Sequence, residues 1–287
     1  MMRAMKTKPL RSLPVLLALL AACADEPSPA PGPNPTIEPQ AVLTEALANA
    51  YEVDTVHQEF RMSFAGGGEG FAMSGTADVD NERQRASMSM DLGRLGGTMD
   101  MVVADGVAYL RSPMMAGRVD TAWVSMDLAA IDPAAAAQFS GGFGDASSYV
   151  ALFAGVVDAR AAGEEIVRGI RTTHYTGTID VVKASEAIAQ VVGEEAGTEA
   201  QEQLERSVLQ LNTLGLRRIP FDAWVDEDGL LRRQRFSMDL GLVPGAEGGS
   251  MEMTVDLSRY GEPVEIRVPG RSEVTDITRL VKSGGGA

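Results

Sequence analysis

The sequence is almost free of cysteine, because Cys23 is the only one among 287 residues. A disulfide bond within one chain is therefore excluded. Long apolar runs are also lacking. The best candidate, Leu13–Leu20, has about half of the ~20 residues that a helix needs to cross a bilayer. A permanent transmembrane helix is accordingly not expected.

Positive charge is scarce as well. The chain has 25 basic and 40 acidic residues, and removal of residues 1–22 would leave 21 basic residues and a net charge near −19. Nucleic acid is excluded as a partner, because phosphate binding needs concentrated lysine and arginine. Anionic lipid headgroups would repel such a domain, and the simplest role of the charge is solubility.

Side chains that carry out catalysis or bind metals are few. His57 and His174 are the only histidines, and neither has a companion at metal-ligand spacing. Residues 78–82 lack the glycine and terminal glutamate of a calcium loop, and GGGEG at 66–70 lacks the lysine of a phosphate loop. Both are interpreted as turns between strands. With no nucleophile elbow or zinc helix, we expect no enzymatic activity, no cofactor and no metal.

The N-terminus has the three parts of a secretory signal peptide. A basic start is followed by the apolar run and by two alanines. Leu20-Ala21-Ala22-Cys23 resembles the lipobox of bacterial lipoproteins, in which the cysteine sulfur is diacylated and the chain is cut just before it. The resemblance implies a signal peptide at 1–22 and an acylated Cys23, with a diacylglycerol anchor and palmitate, as the mature N-terminus. The alternative is a chance cysteine beside a conventional cleavage site.

Residues 23–38 are rich in proline. Alternate positions hold Pro27, Pro29, Pro31, Pro33 and Pro35. Proline fixes its own backbone angle and pushes the preceding residue toward extended geometry. This segment is predicted to be a semi-rigid tether of roughly 3.1 Å per residue. It would hold residues 39–287, predicted as one domain, at the extracytoplasmic face of the cell membrane.

From Thr55 onward, many segments alternate between apolar and polar residues, which is typical of half-buried strands. In one of them, Met88 and Met90 alternate with serines. Asp105-Gly106 and Asp228-Gly229 suit type I′ hairpin turns. Asp226, Glu227 and Asp228 are interpreted as a solvated hairpin tip. Trp123 and Trp224 are expected to anchor the sheet.

Helical spacing of apolar residues predicts a few helices between the groups of strands. They are Gln40–Tyr51, Ser147–Val157, two helices within 183–214 that break near 193–197, and Thr275–Lys282. Strands that occur in runs rather than alternating with helices indicate the α+β class. Because the strands are close in sequence, antiparallel meander pairing is expected.

Four stretches resemble the actinobacterial lipoproteins grouped as LppX, LprA, LprF and LprG. They are AWVSMDL at 122–128, GEEIVRGIRTTHYTGTIDVVKA at 163–184, FDAWVDEDGLLRRQRFSMDL at 221–240 and YGEPVEIRVPG at 260–270. The resemblance implies a curved antiparallel sheet, an unclosed half-barrel similar to that of LolA, with helices over its concave face. It also implies that acylated lipids or glycolipids bind in an apolar cavity and are carried across the cell envelope, with an envelope transport protein as a possible partner.

The methionines independently suit such a cavity. Methionine is unbranched and polarizable, so a surface built from it can repack around irregular guests. Six of them fall on the apolar sides of predicted strands: Met88, Met90, Met99, Met101, Met251 and Met253. They are predicted to line the ligand cavity, although methionines that face inward also form plain core. A solid scaffold that holds a protein partner at the membrane is the alternative function.

Overall fold

Alternating apolar and polar residues build one large sheet. The computed structural model describes residues 38–66, 70–117, 119–130, 155–192, 216–241 and 248–284, all within the unit Ile37–Ala287. These residues form twelve strands and three α-helices. The strands are β1 (Thr55–Ala65), β2 (Phe71–Asp80), β3 (Arg85–Asp91), β4 (Thr98–Ala104), β5 (Val107–Arg111), β6 (Trp123–Asp127), β7 (Val156–Val167), β8 (Ile170–Asp180), β9 (Arg218–Asp226), β10 (Leu231–Asp239), β11 (Ser250–Ser258) and β12 (Val274–Asp276). The helices are α1 (Pro39–Glu52), α2 (Val181–Val192) and α3 (Thr278–Gly284).

The strand order is β12-β6-β5-β4-β3-β2-β1-β11-β10-β9-β8-β7. Two antiparallel meanders, β1–β6 and β7–β11, are joined where β1 pairs with β11. The order has two ends, β12 and β7, so the sheet does not close. The structure thus confirms the predicted α+β class and the unclosed half-barrel built mainly from antiparallel strands.

The two faces of the sheet differ in composition because side chains alternate along each strand. One face, here called the inner face, carries most of the apolar side chains. In β1 these are Val56, Phe60, Met62 and Phe64, and the register places Val79, Gly75, Met73 and Phe71 of β2 beside them. The opposite, outer face carries mainly charged and hydroxyl side chains, such as His57, Glu59 and Arg61 in β1.

Helix α1 covers part of the inner face. Its apolar side is fully buried at Leu43, Ala46, Leu47 and Ala50, and it packs against residues from β7 to β11 and from the start of β1. Burial of a leucine side chain contributes about 1.5–3 kcal/mol. This contact therefore forms the main core at one half of the sheet.

The hairpins of both meanders place tight turns at one end of the sheet and longer loops at the other. At the turn end, Asp105 and Gly106 both have positive φ (53° and 76°), as a type I′ turn requires. The predicted type I′ turn at Asp228-Gly229 is wrong, since only Gly229 of that pair has positive φ. Asp226 accepts hydrogen bonds there from the backbone N–H groups of Asp228 and Leu230, which favours a wider turn.

Other local expectations also need correction. Asp226 is 7% exposed and binds Arg232, so it is a buried residue rather than part of a solvated tip. Val157 lies in β7, not in a helix, while 147–154 and 193–215 lie outside the described residues. Thr275 belongs to β12, which pairs in parallel with β6 at the sheet edge, and the helix begins only at Thr278.

The position of α1 gives the first prediction. Leu47→Ala should lower the free energy of unfolding by about 2–5 kcal/mol, because Leu47 is 1% exposed and its loss leaves a cavity in the core. The exposed neighbour Glu45 provides a matched control, and Glu45→Ala should change stability by less than about 0.5 kcal/mol. Denaturant unfolding measures both, and equal effects would contradict the packing described here.

Candidate functional site

Four of the six predicted methionines meet in cross-strand pairs. Met88 of β3 lies directly opposite Met101 of β4, and Met90 lies opposite Met99. Direct partners on one face have Cβ atoms about 4.5–5.5 Å apart, so their side chains touch. The alternation of β3 and β4 therefore creates a small methionine patch on the inner face.

The other two methionines lie on the same face, on β11, which β2 and β1 separate from β3. Met253 of β11 is opposite Met62 of β1, and Met251 is opposite Phe64. Met62 in turn lies opposite Met73 of β2. Met62 was missed as a site residue, although the alternation Val56, Phe60, Met62, Phe64 in the sequence contains the signal. It joins the two predicted groups into one apolar surface.

Most of this methionine surface is not fully buried. Met101 is 8% exposed, whereas Met88, Met90, Met99, Met251 and Met253 are of intermediate exposure. At the β6 edge, α3 encloses a cavity of about 100 Å³ whose lining includes Met101, Leu110, Met126 and Val281. This cavity has room for a few atoms only, so it is the edge of an apolar region rather than a full site for a long chain.

The chemistry available on this face is apolar binding. Transfer of an acyl chain of ~16 carbons through water costs on the order of 12 kcal/mol, at ~0.8 kcal/mol per methylene. A surface of unbranched thioether side chains offsets much of that cost without imposing a fixed shape. Phe64 and Phe71 add stacked rings, with centroids 4.5 Å apart, at the loop end of the same face.

The histidines lie on the outer face, opposite the methionines. His174 Nε2 is 2.8 Å from Asp222 Oδ1, and its Nδ1 is 3.0 Å from Glu165 Oε1. Its ring stacks on Trp224 with centroids 4.4 Å apart, and Trp224 Nε1 donates to Glu165 at 2.9 Å. Trp224 thereby joins β7, β8 and β9, which agrees with its predicted role as an anchor of the sheet.

The β7–β8 turn bends over this outer face. Arg168 Nη2 lies 2.7 Å from Glu59 Oε1 of β1, four strand spacings from β8, or about 19 Å in a flat sheet. The hydrogen bond from Arg168 lowers the pKa of Glu59 below its usual value, against the opposing effect of burial. Such a contact requires strong coiling of the sheet.

The remaining predicted residues are placed as follows. Cys23 lies outside the described residues. Residues 81–84 form a turn between β2 and β3, and Asp80 there accepts from Arg83 Nη1 at 2.8 Å. Within the described ranges, no cluster of three potential metal ligands is found. No helix in those ranges is both long and apolar enough to span a bilayer.

Comparison with known sequences gives one partial relative. No family model matches the chain. Over 128 residues the chain is 31% identical to a 31.2 kDa protein from the rplA–rplJ intergenic region of Streptomyces griseus. The match spans 45% of this chain and 37% of that relative, so little more than a third of the relative's length is matched.

Comparison with solved structures finds similarity to two mycobacterial lipoproteins. LppX from Mycobacterium tuberculosis is 18% identical, with a TM-score of 0.48 over 80% of this chain and 98% of that one. LprF from Mycobacterium bovis is 19% identical, with a TM-score of 0.47 over 80% of this chain and 96% of that one. Both belong to the group that the sequence resembles.

The Arg168–Glu59 pair gives a pH-dependent prediction. Because the pKa of Glu59 is lowered in the folded state, the stability from this pair is present above the unfolded pKa and is lost as pH falls through the folded pKa. Arg168→Gln should raise the pKa of Glu59 toward its usual value, which an NMR titration of the carboxyl carbon measures. The effect on stability should stay below about 1 kcal/mol, since both side chains are partly solvated.

Arg171→Gln is the control for this titration. Arg171 is also an exposed arginine of the β7–β8 hairpin, but it pairs with Glu164 at 3.2 Å instead. It should leave the pKa of Glu59 unchanged. A Glu59 titration that is the same in all three proteins would show that Arg168 does not hold this carboxylate in solution.

Proposed function

We propose that this protein is a membrane-anchored extracytoplasmic lipoprotein that binds acylated lipids or glycolipids and carries them across the cell envelope. The observation that carries the proposal is the continuous methionine surface on the inner face of an unclosed sheet. Acylation of Cys23 in the lipobox at Leu20–Cys23 would anchor the protein, and the proline-rich tether would separate the folded residues from the membrane surface. Binding, rather than covalent chemistry, is the role that these features support.

The methionine surface must allow a lipid to be released as well as bound. A carrier must shield acyl chains nearly as well as the bilayer does, yet release them afterwards. Methionine side chains suit this need because they conform to a guest without the rigid fit of branched side chains. The intermediate exposure of Met90, Met99 and Met253 leaves apolar area that a guest would remove from water.

Co-purification tests the proposal directly. Residues 37–287, expressed without the anchor, should retain lipid that native mass spectrometry and solvent extraction both detect. The retained mass should correspond to molecules with long acyl chains. A clean apoprotein that also fails to take up an apolar dye would overturn lipid binding and favour the solid scaffold that holds a protein partner.

Two neighbouring substitutions on β3 test whether lipid binds to the inner face of the sheet. Met90→Lys should lower lipid occupancy at least about tenfold, because a charge on the inner face would be removed from water by the bound chain. Ser89→Lys is the matched control on the outer face, where Ser89 is exposed and bonds Asp100 at 2.8 Å. Circular dichroism should show both variants folded. Equal lipid retention in the two would remove Met90 from the site.

The anchor has its own test. In the full chain, produced in a bacterium that processes lipoproteins, Cys23→Ser should abolish incorporation of labelled palmitate and release the protein from sedimenting membranes. Two acyl chains hold stably whereas one holds marginally, so the shift should be nearly complete. Ser28→Ala, in the tether, should keep the label. Palmitate that persists in Cys23→Ser would contradict the lipobox assignment.

A further inference from the structure

The ring of His174 has more carboxylate contacts than a neutral imidazole can satisfy. Its Nε2 lies 2.8 Å from Asp222 Oδ1, and its Nδ1 lies 3.0 Å from Glu165 Oε1. An ionised carboxylate only accepts hydrogen bonds, and a neutral imidazole carries hydrogen on one of its two nitrogens. Both contacts are therefore hydrogen bonds only when the ring is doubly protonated. Loss of one proton leaves a nitrogen lone pair facing a carboxylate oxygen.

The other charged groups around this ring come from neighbouring strands. Asp222 Oδ2 accepts from Nε and Nη2 of Arg235 on β10, at 3.1 and 2.9 Å. Arg233 of the same strand lies near the Trp224 ring and binds Asp256. On β8 itself, the outer-face neighbours of the histidine are threonines. Among the described residues, the histidine ring is thus the one potential cation within 4 Å of the Glu165 carboxylate.

The contact with Glu165 is the weaker of the two. The Glu165 side chain is 51% exposed, whereas that of Asp222 is 19% exposed and is held by Arg235. A ring with one proton therefore keeps it on the nitrogen that faces Asp222. Glu165 Oε1 then meets a lone pair and turns toward water. Because Glu165 Oε2 accepts from Trp224 Nε1 at 2.9 Å, this turn also removes the partner of the indole N–H.

Glu165 lies on the least supported part of the β7–β8 hairpin. β7 is the last strand of the sheet order, and its register with β8 is irregular between Ala161 and Gly163, just before Glu165. Such a bulge bends an edge strand. Gly163 has a φ of 140°, which favours glycine, and a Cβ added there would meet open space. Residues 163–170, here called the strap, can therefore move relative to the start of β7.

The strap covers a cleft on the outer face. The cleft has a volume of about 400 Å³ and is lined by His57 and Glu59 from β1 and by Val167, Arg168 and Ile170 from the strap. Two attachments hold the strap there. The pair Arg168–Glu59 has a guanidinium that always carries its charge, whereas the pair His174–Glu165 needs a second proton on the imidazole.

We propose that the strap is a pH-sensitive device. Protonation of His174 closes residues 163–170 onto the outer face through Glu165, and loss of that proton loosens the strap and opens the cleft beneath it. Histidine suits this role because its charge ordinarily changes between about pH 5 and pH 8. The device lies on the outer face and does not depend on lipid binding at the inner face.

Hydrogen exchange in the full chain tests the strap. Protection is measured against unstructured peptides at the same pH, by mass spectrometry of fragments. From about pH 5.5 to about pH 8, the amides of residues 163–170 should lose at least about tenfold in protection, the effect of one charge-assisted hydrogen bond. Residues 86–103 of β3 and β4 contain no histidine and should keep theirs. Equal protection of the strap at the two pH values would overturn the proposal.

The two histidines are distinguished by substitution. His174→Gln should leave the strap weakly protected at both pH values. His57 has one carboxylate at hydrogen-bond distance, since Asp78 Oδ1 lies 2.7 Å from its Nδ1 while Glu59 Oε1 lies 3.9 Å from its Nε2. A neutral ring satisfies that single bond, so His57→Gln should keep the pH dependence of the unaltered protein. Loss of the pH dependence in His57→Gln instead would overturn the assignment to His174.

Glu165→Gln should reverse the sign, and it tests the proposal even if His174→Gln fails to fold. The new amide oxygen can accept from Trp224 Nε1 while the amide NH₂ donates to the unprotonated Nδ1 of His174. The strap of this variant should therefore be better protected at about pH 8 than at about pH 5.5. Glu164→Gln is the matched control, because Glu164 binds Arg171 instead, and it should behave as the unaltered protein does. An unaltered pH dependence in Glu165→Gln would show that another group titrates and would overturn the device.

Discussion

A sheet of this size is stable only if one of its faces is removed from water, and that constraint shapes the whole molecule. In β1–β4 and β9–β11 most of the apolar residues fall on one side by alternation, with Val102 and Trp224 as buried exceptions on the other side. Helix α1 buries that side at β7–β11 with Leu43 and Leu47. Beyond the reach of α1, the same face carries half-buried methionines such as Met88 and Met90 beside buried residues such as Ala86 and Val124. The inner face therefore changes from packed core to an adaptable surface within one continuous sheet.

The pairing of β1 with β11 holds these two regions together. Residues 57–65 pair with residues 250–258, which lie almost 200 positions away in the chain. Each meander alone would leave an open edge at this point, and unpaired edges invite association with other chains. The pairing also brings Met62 between Met73 and Met253. One long-range contact thus completes both the fold and the candidate site.

Local signals in the sequence predicted most of the strands, α1, the α+β class and the face on which the methionines lie. They could not supply features that depend on partners distant in sequence. The spacing of apolar residues predicts that Thr275 begins a helix, but residues 274–276 pair with β6 as a parallel edge strand. Asp226 looks solvated by composition, yet Arg232 and the backbone of its own turn bury it. The alternation of β1 places Met62 on the apolar side, but only the register of three strands shows that it lies between Met73 and Met253.

Most polar side chains of the sheet lie on the outer face, so they do not reduce the apolar area that the inner face offers to a ligand. Ion pairs such as Arg233–Asp256 and Arg235–Asp222 lie on the outer face, where they connect neighbouring strands without entering the methionine surface. These part-buried pairs link β10 to β11 and to β9 by charged hydrogen bonds. Because a one-residue slip would move charges to the inner face, the outer network protects the inner surface.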